Sequence, residues 1–218
     1  MTGRQPVRWT VLPAATVLAL VPVTGCDRGV DGVPSPAHAV ATPGTADELG
    51  RLLVTSVPSG LPRLPDEDLE PPAGRKTVAD VAAYADDPAR ERNVLEDYGY
   101  RFGWERFWGE DGVLTGVYVH QHEHRAGADA YTRDLAANEA EYYSGVLSEN
   151  SPRLPGGCWL LTVEDPQPDV GLTGPAAIAW CGIGVFSVSV SAVADSVEAA
   201  TEEVRLLVPR QLDRLRGG

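Results

Sequence analysis

Tyr98-Gly99-Tyr100-Arg101-Phe102-Gly103-Trp104-Glu105-Arg106-Phe107-Trp108 is the stretch from which the rest of the chain is read. Large aromatic side chains recur at Tyr98, Tyr100, Phe102, Trp104 and Trp108, with Arg106 the exception, while Gly99, Arg101, Gly103 and Glu105 fall between them. A period of two predicts a half-buried strand, because successive side chains of an extended chain point to opposite faces. Gly109-Glu110-Asp111-Gly112 supplies a turn, and a second strand follows from Val113 to about His122, so the two form a hairpin. At sheet spacing an aromatic stripe is ordinarily core; the sharper reading is a pocket wall for an apolar or carbohydrate ligand.

Downstream, a helix is expected from about Ala128 to Tyr143, with Tyr131, Leu135 and Tyr142 on its apolar side. Pro152, Pro155 and Gly156-Gly157 break the chain. A third strand runs from Cys158 to Val163, and a long fourth strand from about Ala176 to Val193. On that fourth strand Ile178, Trp180, Phe186, Val188 and Val190 share one face, and Cys181, Ile183, Val185, Ser187, Ser189 and Ser191 the other. The Phe/Val side is expected to meet helices, the serine end solvent or a ligand. Asp195 with Glu198 resembles a capping box for a last helix, which Pro209 should kink.

Upstream, Thr45-Ala46-Asp47-Glu48 opens a short helix through about Val54, a proline-rich loop follows, Thr77 caps a second helix, and Asp87-Pro88 starts a third that ends near Gly99. The expectation is an α+β fold: an antiparallel sheet built from two hairpins (ββα-ββα), helices packed mainly on one face, preceded by short helices.

The N-terminus carries an address. Arg4 and Arg8 precede an uncharged run from Trp9 to Val23, and Val23-Thr24-Gly25-Cys26 closes it. A basic start, a short apolar run and small residues at a cleavage point describe an export signal. The run is broken by Pro13 and Pro22 and falls short of the roughly 20 apolar residues of a membrane span. Residues 1–25 are therefore read as a signal peptide, 26–44 as a flexible Pro/Ala/Ser/Thr spacer, and 45–218 as a single extracytoplasmic domain.

The 218 residues carry a net charge of −13; without the signal, 16 basic and 31 acidic residues remain, or −15. Such a surface repels phosphate backbones, which argues against nucleic acid as a partner, and the ordinary reading of the acidity is solubility. There are three cysteines. With Cys26 set apart at the end of the export signal, Cys158 and Cys181 remain as an even pair in an oxidising compartment, so a disulfide is expected. If the two face each other across an antiparallel pair, Trp159 must face Trp180 on the opposite side of the sheet, a favourable cross-strand pair.

One motif suggests chemistry. His120-Gln121-His122-Glu123-His124 holds three of the four histidines, and on a strand the three imidazoles would stand about 7 Å apart in succession on one side. Neutral imidazole binds zinc or copper, so a metal site built on His120, His122 and His124 is an alternative function. The blander reading, a polar strand end beside a loop, is preferred, and no metal or cofactor is expected. Catalytic signatures are missing: there is no Gly-x-Ser-x-Gly elbow, phosphate-binding glycine loop or His-Glu-x-x-His. A Ser187 or Ser189 nucleophile with a His120 base is the weakest alternative, an envelope hydrolase.

Val23-Thr24-Gly25-Cys26 resembles the lipobox of bacterial lipoproteins, which implies a diacylglyceryl group on the Cys26 sulfur, palmitate-type acylation and cleavage before the cysteine. The stretch Tyr98–Trp108, then Val117-Tyr118-Val119, then Gly127-Ala128-Asp129-Ala130-Tyr131, together with Cys158-Trp159 and Trp180-Cys181, is similar to lipoproteins of unknown function predicted from actinobacteria (high-GC Gram-positive bacteria) and to extracytoplasmic sensor-like domains. The resemblance implies a lipid-anchored protein on the outer face of the cell membrane, a binding role toward an envelope protein or small apolar ligand, and no enzyme activity; it transfers no catalytic residue. His122 departs from the apolar residue expected near the end of that second strand.

Overall fold

The computed structural model describes residues 42–168 and 171–217. The signal segment, most of the spacer and Cys26 lie outside the described residues. The helices are α1 (Ala46–Arg51), α2 (Val78–Ala82), α3 (Pro88–Asp97), α4 (Arg125–Tyr142) and α5 (Val197–Gly217). The strands are β1 (Gly74–Lys76), β2 (Tyr100–Glu110), β3 (Val113–His122), β4 (Val146–Glu149), β5 (Cys158–Val163), β6 (Ala176–Ile183) and β7 (Phe186–Val193). They form one antiparallel sheet in the order β1-β2-β3-β7-β6-β5-β4, an α+β fold.

Local signals place several helix ends where the sequence puts them. Thr45 Oγ1 accepts from the Glu48 amide, Asp87 caps α3 with Pro88 at its first position, and Gly99 follows α3 with φ +67°. α5 is capped by Ser196, whose Oγ accepts from the Ala199 amide, rather than by Asp195, and the helix continues through Pro209.

The expected second hairpin differs. Residues 176–193 are not one long strand: Gly184, at φ +59°, turns the chain between β6 and β7. A left-handed residue costs glycine nothing, so the period of two is interrupted at that point. With β4 and β5 the second half of the sheet is a four-stranded meander rather than a simple ββ pair. Because of the turn, Trp180 faces Ser189 and Cys181 faces Val188, the reverse of the faces a continuous strand would give. The expected register of β5 on β6 holds: Cys158 pairs with Cys181 and Trp159 with Trp180. Cys158 and Cys181 are disulfide-bonded, with Cα atoms 4.4 Å apart.

The aromatic stripe is also divided. Tyr100 pairs with His122 but Phe102 pairs with Gln121, so Arg101 is an extra residue, a β-bulge. Past it the phase is reversed. Phe102, Trp104 and Trp108 face the main core, whereas Tyr100 turns to the other side and joins Tyr131, and Tyr98 is the C-cap of α3. Arg106, the odd member of the stripe, points to the same side as Trp104 and donates to the carbonyls of Gly50 (3.1 Å) and Val54 (2.7 Å) at the end of α1.

The helices take both sides of the sheet. α5 and α1 cover one face, where Leu207, Val204 and Leu49 pack with Trp108, Val119, Val188, Val190 and the disulfide. Gln211 of α5, fully buried, accepts from the Val54 amide and donates to the Leu52 carbonyl, tying the two helices. α4 lies on the opposite face, with Ala136 against Leu161, Ile178 and Trp180, and with Tyr131 against Tyr100, Leu95 and Val81 near α2 and α3.

Candidate functional site

A cavity of about 520 Å³ opens between the sheet and α4, bordered by members of both apolar clusters on that side. Its floor follows from register: Glu105 (β2), Tyr118 (β3) and Ser189 (β7) are successive cross-strand partners, Ser191 pairs with Ile178, and His120 lies two residues beyond Tyr118 on the same face. Its wall is a helical ridge of Tyr131, Leu135, Glu139 and Tyr143, spaced four residues apart so that they stack along one side of α4 and its C-cap. Val81 of α2 and the exposed Tyr84 close the side toward the β1 edge.

The polar groups fall into a paired set and an unpaired set. Glu105 is buried, with Lys76 Nζ 3.1 Å from one carboxylate oxygen and the Tyr84 hydroxyl donating at 3.0 Å. Lys76 also donates to the Pro72 carbonyl at 2.6 Å. Burial raises the Glu105 pKa, and the Lys76 charge and hydrogen bonds oppose it. Glu139 has neither a hydrogen bond nor an ion pair among the described residues, and burial lifts its carboxyl to about 7.

His120 is buried, and its Nε2 is enclosed with no partner among the described residues. Burial first, then the neighbouring His122 and Lys76, push its pKa down to about 3, so the imidazole is neutral. It stands between Tyr100 and Tyr131, ring centroids 5.3 and 5.7 Å away. Gly103, its partner on β2, makes the room: a Cβ there would lie 2.5 Å from His120 Cδ2 and 2.7 Å from the Tyr100 hydroxyl. Burial holds the hydroxyls of Tyr84, Tyr118, Tyr131 and Tyr143 above their ordinary value, that of Tyr143 at about 12. All four line the cavity as neutral phenols.

The structure separates the histidine run. His120 and His122 are buried against the tyrosine rings, not solvated as a polar strand end would be, and His122 Nδ1 lies 3.2 Å from the Tyr98 carbonyl oxygen. His124 is exposed at the start of α4, so its alternation with the other two is lost. Among the described residues no three His, Cys, Asp or Glu side chains gather as a metal site. Ser187 faces His120 in register, but its hydroxyl is joined to Thr132 Oγ1 at 2.9 Å, and no hydrogen bond links it to His120. Ser189 and Ser191 border the cavity, while Phe186, Val188 and Val190 face α5.

Reading the sequence missed Glu105, Lys76, Glu139 and Tyr143. Alternation puts Glu105 opposite Phe102, Trp104 and Trp108, as it lies here, but does not tell that α4, α2 and the β1 edge cover this second face too. On α4 it is Tyr143, not the exposed Tyr142, that faces inward. The four-residue spacing Tyr131-Leu135-Glu139-Tyr143 was the available signal: a carboxylate in register with aromatic and apolar neighbours on a helix stripe.

No family model matches the chain, and no curated protein matches it. Among solved structures, the extracellular domain of PknH from Mycobacterium tuberculosis is similar, with a TM-score of 0.51 at 13% sequence identity, over 81% of this chain and 99% of that one. The likeness shows a shared fold with an actinobacterial extracellular domain. No helix among the described residues is long and apolar enough to cross a membrane.

Proposed function

We propose that the chain is an exported, lipid-anchored domain that binds a small ligand in the cavity between its sheet and α4. The cavity carries this reading: it lies within the usual few-hundred to thousand Å³ of small-molecule sites, and it holds Glu139, a half-buried carboxyl with no hydrogen bond or ion pair among the described residues, inside a mostly apolar wall. Buried polar groups in native proteins are ordinarily hydrogen-bonded, so unpartnered ones lining a cavity fit a site that a ligand completes. The export signal, the lipobox-like Val23-Thr24-Gly25-Cys26 and the fold shared with an extracellular domain support an address outside the cytoplasmic membrane, tethered through Cys26.

The domain is read as a binding module rather than an enzyme, since a His120 held near 3 is a weak base and Ser187 is engaged by Thr132. Binding of another envelope protein is the second occupant to consider, and the test separates the two. The full chain, purified from its own host in nonionic detergent, is compared by native mass spectrometry with a Ser189→Trp variant that fills the cavity. A small-molecule adduct on the wild type and none on the variant is expected. A bare chain in both, or a protein partner that both retain, overturns the cavity as the binding site. Cys26→Ala should release the protein from the membrane or leave an unprocessed precursor; unchanged membrane association of a cleaved chain overturns the anchor.

A further inference from the structure

We infer that the ligand of this cavity is a small organic cation, an ammonium or quaternary ammonium group carried on an apolar body, with its charge set against Glu139 and the tyrosine rings. The inference rests on the ligand-binding reading above and adds the chemical class.

Charge points first to a cation. Glu91, Glu105 and Glu139 line the cavity, and among the described residues no lysine or arginine does. Lys76, the nearest cation, is ion-paired with Glu105, bonded to Pro72 and set 5.1 Å from the Tyr84 ring centroid, so it answers only one of the three carboxylates. Glu91 and Glu139 have no ion pair among the described residues. An anionic ligand would meet this field with nothing to offset it. A neutral apolar ligand would cover Glu139 and leave its carboxyl, charged or protonated, without a hydrogen-bond partner, which costs free energy in either state.

The rings point to an organic rather than a metal cation. Tyr84, Tyr118, Tyr131 and Tyr143 stand around the same space, and the negative face of an aromatic ring attracts a diffuse ammonium. The carboxylates are spread over α3, β2 and α4 and do not gather into a metal cage. The rest of the lining, Val81, Leu135, Leu172 and Ile178 among it, asks for an apolar body, and about 520 Å³ leaves room for one. The half-buried Ser189 and Ser191 hydroxyls on the floor can meet one further hydrogen-bonding group.

The test uses probes that differ only at one end. The full chain in nonionic detergent is titrated by calorimetry with 2-phenylethylamine, its trimethylammonium analogue, 2-phenylethanol, 3-phenylpropanoate and, as a neutral sugar, trehalose. The ammonium probes are expected to bind at least tenfold more tightly than the alcohol, with the carboxylate and the sugar weaker still. In Glu139→Gln the ammonium advantage over the alcohol should fall to less than threefold while alcohol binding persists, which also certifies that the variant is folded. Glu91→Gln, at the same cavity, should reduce ammonium binding by a smaller factor. If the alcohol, carboxylate or sugar binds as tightly as the ammonium probes, or if Glu139→Gln leaves the preference intact, the cation assignment is overturned and the cavity stands as a site of another class. If no probe binds the wild type, the cation assignment is overturned, and the native mass spectrum then decides separately whether the cavity binds anything.

Discussion

The two faces of the sheet are built from the same seven strands and have opposite characters. The α5 face is closed. One continuous cluster runs from α1 through Trp108, Val119, Val188 and the disulfide to Leu207 and Leu212; buried Gln211 and Glu203 bind the chain itself, Gln211 at Leu52 and Val54 and Glu203 at Ser59, while Trp104 Nε1 and Gln121 Oε1 are enclosed with no partner among the described residues and no cavity beside them. The α4 face is divided into two smaller clusters with a cavity at their border, and the Glu139 carboxyl that lines it has no hydrogen bond or ion pair among the described residues. The difference teaches where stability and where binding reside. A face filled to solid density holds the fold, whereas a face whose floor is Ser189, Ser191 and Ala176 leaves space that only something else can fill.

The largest effect should come from cutting into the closed face. Leu207→Ala removes a fully buried side chain from α5 and is expected to cost about 3–4 kcal/mol, mostly as a cavity that neighbours cannot collapse into. Leu135→Ala, on the wall of the open face, is expected to cost under about 1 kcal/mol, because its surroundings are already open. Urea unfolding of both variants measures the contrast; equal losses would erase the distinction between the faces. Next is the staple of the closed face. The double variant Cys158→Ala/Cys181→Ala opens a link between residues 23 apart and should cost about 3 kcal/mol in the chain-entropy model. Both thiols alkylating in the wild type without reductant would refute the bridge itself.

The smallest effect belongs to the open face and depends on pH. Glu139 rises from 4.5 to about 7 on folding, so between those values the native state holds a proton that the unfolded chain has released. Stability from this group is therefore lost as pH rises from 4.5 toward 7 and stays lost above it. Glu91, Glu105, Tyr118, Tyr131, Tyr143 and His120 share its surroundings; of these His120 titrates near 3 and the raised tyrosines above that window. Glu139→Gln should gain on the order of 1 kcal/mol at pH 8 and little at pH 4, read from urea midpoints at the two pH values. A variant equally stabilised at both would mean that Glu139 is not the group titrating there.

Reading residues in order went furthest where the signal is local. Thr45, Asp87, Pro88 and Gly99 mark helix ends because caps and turns are settled by neighbours within a few residues. Cys158 and Cys181 settle the register of β5 on β6, and with it the Trp159–Trp180 pair, since one cross-strand partnership determines all the others. The sequence by itself thus determined the antiparallel α+β class, the Cys158–Cys181 and Trp159–Trp180 pairings and the acidic surface, all consequences of periodicity, composition and one covalent constraint. Tertiary structure alone decided the rest. The bulge at Arg101 exists only in the pairing of β2 with β3, and it moves Tyr100 off the face of Phe102, Trp104 and Trp108 to join Tyr131 beside the cavity, while Glu105 becomes cavity floor because helices cover that second face as well. At Gly184 the sequence is ambiguous, with Ile183 and Val185 on one alternation and Phe186, Val188 and Val190 on the other, and the pairing of β6 with β7 shows that the chain turns there. The cavity is the space left between α4 and strands far from it in sequence, and a space has no residues of its own to be read.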